Sequence, residues 1–173
     1  VGGNCLLGDL EGNTSAARLH VEGGLFRASG GFTRRAGSNY AHLGGTIHLE
    51  GGFIGWPLPT WPVTSAIGSP ELWISNGLHT TVGMFEVGRG GAGTLRISRT
   101  GTRVNTTSAM VLGDSAAGSG AIVVDSSAVL NVSSQLVVGN FGDGSIQVLR
   151  GADLNPGADL IFGRFAGSCW PLM

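Results

Sequence analysis

From Met110 to Gly163 the chain repeats one pattern of apolar and polar positions: an apolar triplet closed by glycine, a short polar turn, then apolar-x-apolar. The triplet is Val111-Leu112-Gly113, then Val137-Val138-Gly139, and a third copy opens at Leu160-Ile161-Phe162-Gly163. Earlier copies are Leu6-Leu7-Gly8 and Glu86-Val87-Gly88. The anchors Gly88, Gly113, Gly139 and Gly163 are evenly spaced, each about 25 residues beyond the last. The second half of the unit recurs as Leu19-His20-Val21, Ile47-His48-Leu49, Leu72-Trp73-Ile74, Leu95-Arg96-Ile97, Ile122-Val123-Val124 and Ile146-Gln147-Val148. Its steps keep close to the same spacing, so six units cover almost the whole chain. A repeat of this length decides the architecture before any local reading does.

Within a unit the runs alternate. In Thr94-Leu95-Arg96-Ile97-Ser98 the two apolar residues face one way and the polar ones the other, which is the strand signal. No stretch holds apolar residues at helical spacing, and the frequent glycines would break a helix. The expected fold is all-β: a right-handed-type parallel β-solenoid (β-helix) of about six to seven coils, with a period near 25 residues and little or no helix. It forms a single domain over 1–173, most regular over 84–168. Leu19, Ile47, Leu72, Leu95, Ile122 and Ile146 form one expected inward ladder, with Val21, Leu49, Ile74, Ile97, Val124 and Val148 beside it. Phe85, Met110, Leu136 and Leu160, with Val87, Leu112, Val138 and Phe162, form the second. The segment 56–69, WPLPTWPVTSAIGS, is expected to protrude as a Pro/Trp loop or to form an edge, since proline cannot donate to a ladder.

Composition narrows the class. The 32 glycines lack a three-residue period, which excludes collagen, and 42% hydrophobic residues at period 2 argue against disorder. A net charge of −1 with 12% charged residues is a poor surface for nucleic acid. No run of 18 apolar residues exists to span a membrane. The chain starts at Val1 without a charged and apolar leader, which reads as a mature secreted protein or as a fragment of a larger chain.

The segments LVVGNFGDGSIQVLRGADL and MVLGDSAAGSGAIVVDSSAVL resemble the repeats of secreted bacterial β-solenoids of the autotransporter and PEP-CTERM-associated repeat type. The likeness holds from Phe85 onward and is weaker before it. It implies an extracellular or cell-surface solenoid whose repeat pattern is structural, with no catalytic residue and no cofactor.

Candidate chemistry is sparse. Trp56, Trp61 and Trp73 offer an aromatic platform for glycan, or tryptophans packed down on the rod. LHVEGG and IHLEGG place His20 with His48 and Glu22 with Glu50, expected to stack on neighbouring coils. Such a stack serves a metal or proton transfer, or only records one repeat copied twice. No Ser-His-Asp signature, paired-cysteine motif or phosphate loop is present. Asn13, Asn105 and Asn131 begin Asn-x-Ser/Thr sequons, glycosylation acceptors only in a glycosylating host.

Both ends read as interior coils without a cap, and end-to-end contact of such ends generates a filament. The residues after the anchor glycines run Arg89, Asp114, Asn140 and Arg164, with Asp9 as the expected equivalent at the start. A head-to-tail joint would then set Arg164 against Asp9 and Phe165 against Leu10, with Leu7 and Phe162 in the same ladder. Cys5 and Cys169 lie too far apart in a straight rod to pair within one chain. They either bond across the joint or stay as small apolar residues, with Cys5 expected in the column of Met110 and Leu136. The expected function is a structural, non-catalytic subunit that stacks on copies of itself into a fibre. The alternative is a surface adhesin module contacting glycan through the Trp56–Trp73 region.

Overall fold

The computed structural model describes residues 5–7, 18–34, 39–42, 44–50, 53–55, 60–63, 70–81 and 84–164. Twenty strands follow in the order β1 (Cys5–Leu7), β2 (Arg18–Val21), β3 (Leu25–Ala28), β4 (Phe32–Arg34), β5 (Asn39–His42), β6 (Thr46–Leu49), β7 (Phe53–Gly55), β8 (Thr60–Val63), β9 (Glu71–Ser75), β10 (Leu78–Thr81), β11 (Met84–Val87), β12 (Ala92–Ser98), β13 (Arg103–Thr106), β14 (Met110–Leu112), β15 (Ser119–Val124), β16 (Val129–Val132), β17 (Leu136–Val138), β18 (Asp143–Val148), β19 (Asp153–Pro156) and β20 (Leu160–Phe162), with no helix among the described residues. Every third strand pairs in parallel, so three strands make a coil and the coils stack into a β-solenoid. The first face holds β3, β6, β9, β12, β15 and β18, and the second holds β1, β4, β7, β10, β13, β16 and β19. The third face divides into β2 with β5, and β8 with β11, β14, β17 and β20.

Proline explains that division. The amide of Gly113 donates to the Val87 carbonyl of the preceding coil at 3.0 Å. By alternation Val111 and its register partners Glu86 and Pro62 also turn their backbone toward the preceding coil. Pro62 therefore has no N–H to offer β5, and the ladder stops there. Part of the segment expected to leave the rod is thus the edge strand β8, with Trp61 at the register position of Phe85; Trp56 lies outside the described residues.

Like stacks on like inside the rod. The first-face column runs Phe26, Ile47, Leu72, Leu95, Ile122 and Ile146, a mean step of about 24 residues, which lies within the range of solenoid repeats. The third-face column Phe85, Met110, Leu136, Leu160 is the one the glycine-closed triplet predicts. From Ile47 to Ile122 the first-face column is buried in every coil, and from Phe85 to Leu136 so is the third-face column; both open at the last described coil. Leu136 and Val138 are 0% exposed, whereas Leu160 and Phe162 directly above them are 42% and 50% exposed.

Three register expectations are corrected. Leu19-His20-Val21 is not the start of the first-face column; it is β2 of the third face, and Phe26-Arg27-Ala28 of β3 takes that place. His20 consequently lies opposite Ala41, not His48, and the two His-Glu pairs do not stack. Leu6 and Leu7 belong to β1 of the second face, which puts Cys5 in the column of Phe32, Phe53, His79 and Val104 and not with Met110 and Leu136. The physical reason is shared: all three faces read apolar-x-apolar, so alternation says which residues point inward but not into which face.

The second-face column carries one polar residue, His79, wholly buried between the register positions of Phe53 and Val104. Its Nε2 lies 2.6 Å from the Asn76 carbonyl oxygen and so carries the proton, while Nδ1 is buried without a hydrogen-bond partner. Burial holds its pKa below the ordinary 6.5, against the opposing pull of the Asn76 and Ser75 backbone. The unfolded chain therefore takes up a proton near 6.5 that the folded chain refuses, and stability falls as pH drops through and below that value.

Two outcomes follow from the columns. In urea unfolding of dilute protein, Leu136→Ala should cost about 2–5 kcal/mol, and Leu160→Ala, one coil higher in the same column, less than half of that. His79→Leu should flatten the decline of stability between roughly pH 6.5 and pH 5, measured as the urea midpoint at each pH; an unchanged slope would place the acid sensitivity elsewhere.

Candidate functional site

Three outward side chains of the first face stand one above another: Arg27, His48 and Trp73. Each bonds a residue at the corner of the following coil. Arg27 grips Glu50 through Nε and a terminal nitrogen, both at 2.8 Å. His48 Nε2 meets Ser75 Oγ at 2.8 Å, and Trp73 Nε1 donates to Ser98 Oγ at 2.7 Å. Trp73 lies flat on His48, with ring centroids 3.8 Å apart and planes 3° from parallel. Arg96, next in the column, pairs with Glu71 at 3.1 Å.

Ser75, His48 and Glu50 supply the residue types of a hydrolytic triad, so their geometry matters. The Glu50 carboxylate approaches His48 at Nε2, 3.8 Å away, the same nitrogen that meets the serine. A relay needs the carboxylate on the other ring nitrogen, and Ser75 is fully buried. The cluster is a corner clamp joining three coils. Arg27 holds the Glu50 carboxyl below its usual range, and burial lowers the pKa of His48. Among the described residues no group of three His, Cys, Asp or Glu side chains is placed to hold a metal. His20 and Glu22 form a separate, exposed pair at 3.3 Å.

The other predicted sites are dispersed. Trp73 faces outward as expected, but one ring face is covered by His48, and Trp61 belongs to another side of the solenoid. Asn105 and Asn131 lie on the outer side of the second face and join Asn155 in an amide ladder. Asn155 donates to Asn131 at 3.0 Å and Asn131 to Asn105 at 2.7 Å. Asn13 lies outside the described residues. The column after the anchor glycines is real, since Asn140 donates to Asp114 at 2.6 Å, and Arg164 follows with its amide on the Gly139 carbonyl at 3.2 Å. Beneath it Glu86 is 1% exposed, and burial raises its pKa while Arg89 at 3.4 Å opposes that shift. Asp9, Leu10, Phe165 and Cys169 lie outside the described residues. Leu7 and Phe162 occupy different faces.

What the described residues do bring together is an end. β18, β19 and β20 are the last described strands of their sheets. Their inward positions, buried in the coil directly below, meet solvent: Val148 is 43%, Leu160 42% and Phe162 50% exposed, with Ile146 and Leu154 partly so. The corner residues Phe141 and Leu149 add 44% and 41% exposure beside them. The result is an apolar end ringed by strand edges. Alternation made its Leu160 and Phe162 legible; the second-face strands Arg103–Thr106, Val129–Val132 and Asp153–Pro156 were missed. Their only signal is a repeated apolar-Asn pair, Val104-Asn105, Leu130-Asn131 and Leu154-Asn155. No family model, no curated protein and no solved structure matches the chain, so the resemblance to secreted bacterial solenoid repeats rests on the quoted residues alone.

Proposed function

We propose that the chain is a structural, non-catalytic β-solenoid subunit that stacks end to end on copies of itself into an extracellular or cell-surface fibre. The observation that carries this reading is the contrast within single columns. Leu136 is 0% exposed and Leu160, its register partner one coil above, is 42% exposed. An exposed cluster of interior side chains bounded by strand edges marks an interaction surface.

A second copy fits that surface because the joint would repeat a contact the chain already makes with itself. Each coil is the template for the next, through parallel backbone pairing at about 4.8 Å and apolar columns in register. A partner coil continues the apolar columns, and the backbone pairing wherever the edge strand offers its N–H groups, without new chemistry. Contact between two different ends of identical molecules is heterologous, and such contacts run on into filaments unless a rotation closes them.

Electron microscopy and sedimentation velocity, with reductant throughout, test the reading. The unmodified chain should form rods several times longer than one molecule. Val148→Arg and Leu160→Arg, each placing a charge in an interior column of the end coil, should leave single short particles with unchanged circular dichroism. Short particles from the unmodified chain at every concentration tried would overturn it.

A further inference from the structure

The three strand edges at the open end are not equivalent. On the second face, the amides of Asp153 and Gly157 donate back to the Ala128 and Val132 carbonyls, at 2.9 and 2.6 Å. Asp153, Asn155 and Gly157 therefore turn their backbone toward β16, and Leu154 and Pro156 turn theirs forward, away from the rod. In the coil below, the position of Pro156 is held by Val132, and below that by Thr106, both of which carry an N–H. Proline has none, and its ring methylene stands where the hydrogen would be. Of two donors this strand could extend to a following coil, one is absent and replaced by bulk.

The first face differs. Asp143 and Leu149 donate back to Gly118 and Val124, each at 2.9 Å, so Ile146 and Val148 turn forward with their N–H groups in place. On the third face Gly163 donates back to Val138 at 2.9 Å, so Leu160 turns forward with its N–H as well. Edge proline is one of the means by which exposed strands are kept from uncontrolled pairing.

We propose that Pro156 is a gatekeeper of the end-to-end joint. A second copy zips onto the first and third faces, and the second face stays unpaired at Pro156, which keeps association weak and reversible. This rests on the stacking reading above, in that the partner is another copy of the chain.

Pro156→Val tests it, with Pro156→Thr as a second variant. Each restores the N–H and carries the side chain found at the same place one or two coils below, so pairing of β19 with β16 is preserved. Sedimentation velocity across a concentration series on the full chain reads the concentration of half-association. One regained hydrogen bond and the loss of a steric block should lower it about tenfold. If the unmodified chain associates and both variants associate more tightly, gatekeeper and stacking stand together. If the unmodified chain associates and the variants match it, the gatekeeper is overturned and stacking survives. If only the variants associate, the gatekeeper stands and the fibre reading falls. If none associates, both fall.

Discussion

Parallel pairing in register between coils is the constraint on which the rest of the molecule depends. It places equivalent residues about 4.8 Å apart, so every choice at one position is confronted with the choices directly above and below it. Apolar columns satisfy this easily, since Leu72, Leu95 and Ile122 bury one another. Charged residues do not, because two like charges at that spacing repel. The chain answers with columns of mixed character. Arg27 is followed by His48 and Trp73, Asp114 by Asn140, and the corner Asp125 is gripped by Arg150, which brings its carboxyl down to about 2. The low overall charge follows from the same constraint, because a stacked fold multiplies the cost of any unpaired charge.

Polar groups within the stack carry a second consequence. His79 and Glu86 are buried on successive strands of one coil, and burial shifts them in opposite senses: His79 resists taking up a proton and Glu86 resists losing one. Burial disfavours the charged form of each, and at Glu86 the neighbouring Arg89 works against that cost. Neighbouring coils in a solenoid support only each other, so a weak coil is felt locally rather than averaged over the molecule.

The regular part of the fold was legible because two of its three strands carry strong marks. The glycine-closed triplet fixes the third face from Phe85 to Phe162, and strict alternation fixes the first face from Ile47 to Val148. The second face was not, because its interior positions include His79, Thr106 and Pro156, which dilute the apolar period. The early coils misled through likeness: LHVEGG and IHLEGG share a pattern yet lie on different faces, and the coil from Phe26 to Ile47 is the shortest of its column. The open end was half legible. Leu160 and Phe162 follow from the repeat, but the direction in which Pro156 turns its backbone depends on hydrogen-bond phase, which no sequence period records.

The asparagine ladder on the second face gives the rod an orientation. Asn155 donates to Asn131 and Asn131 to Asn105, so each carboxamide dipole points the same way along the axis, parallel to its neighbours. Aligned hydrogen-bonded amides polarise one another, and the alignment of any one is reinforced by the next. The outer side of the second face is thus directional: along the axis this ladder presents carbonyl oxygens toward one end and amide hydrogens toward the other.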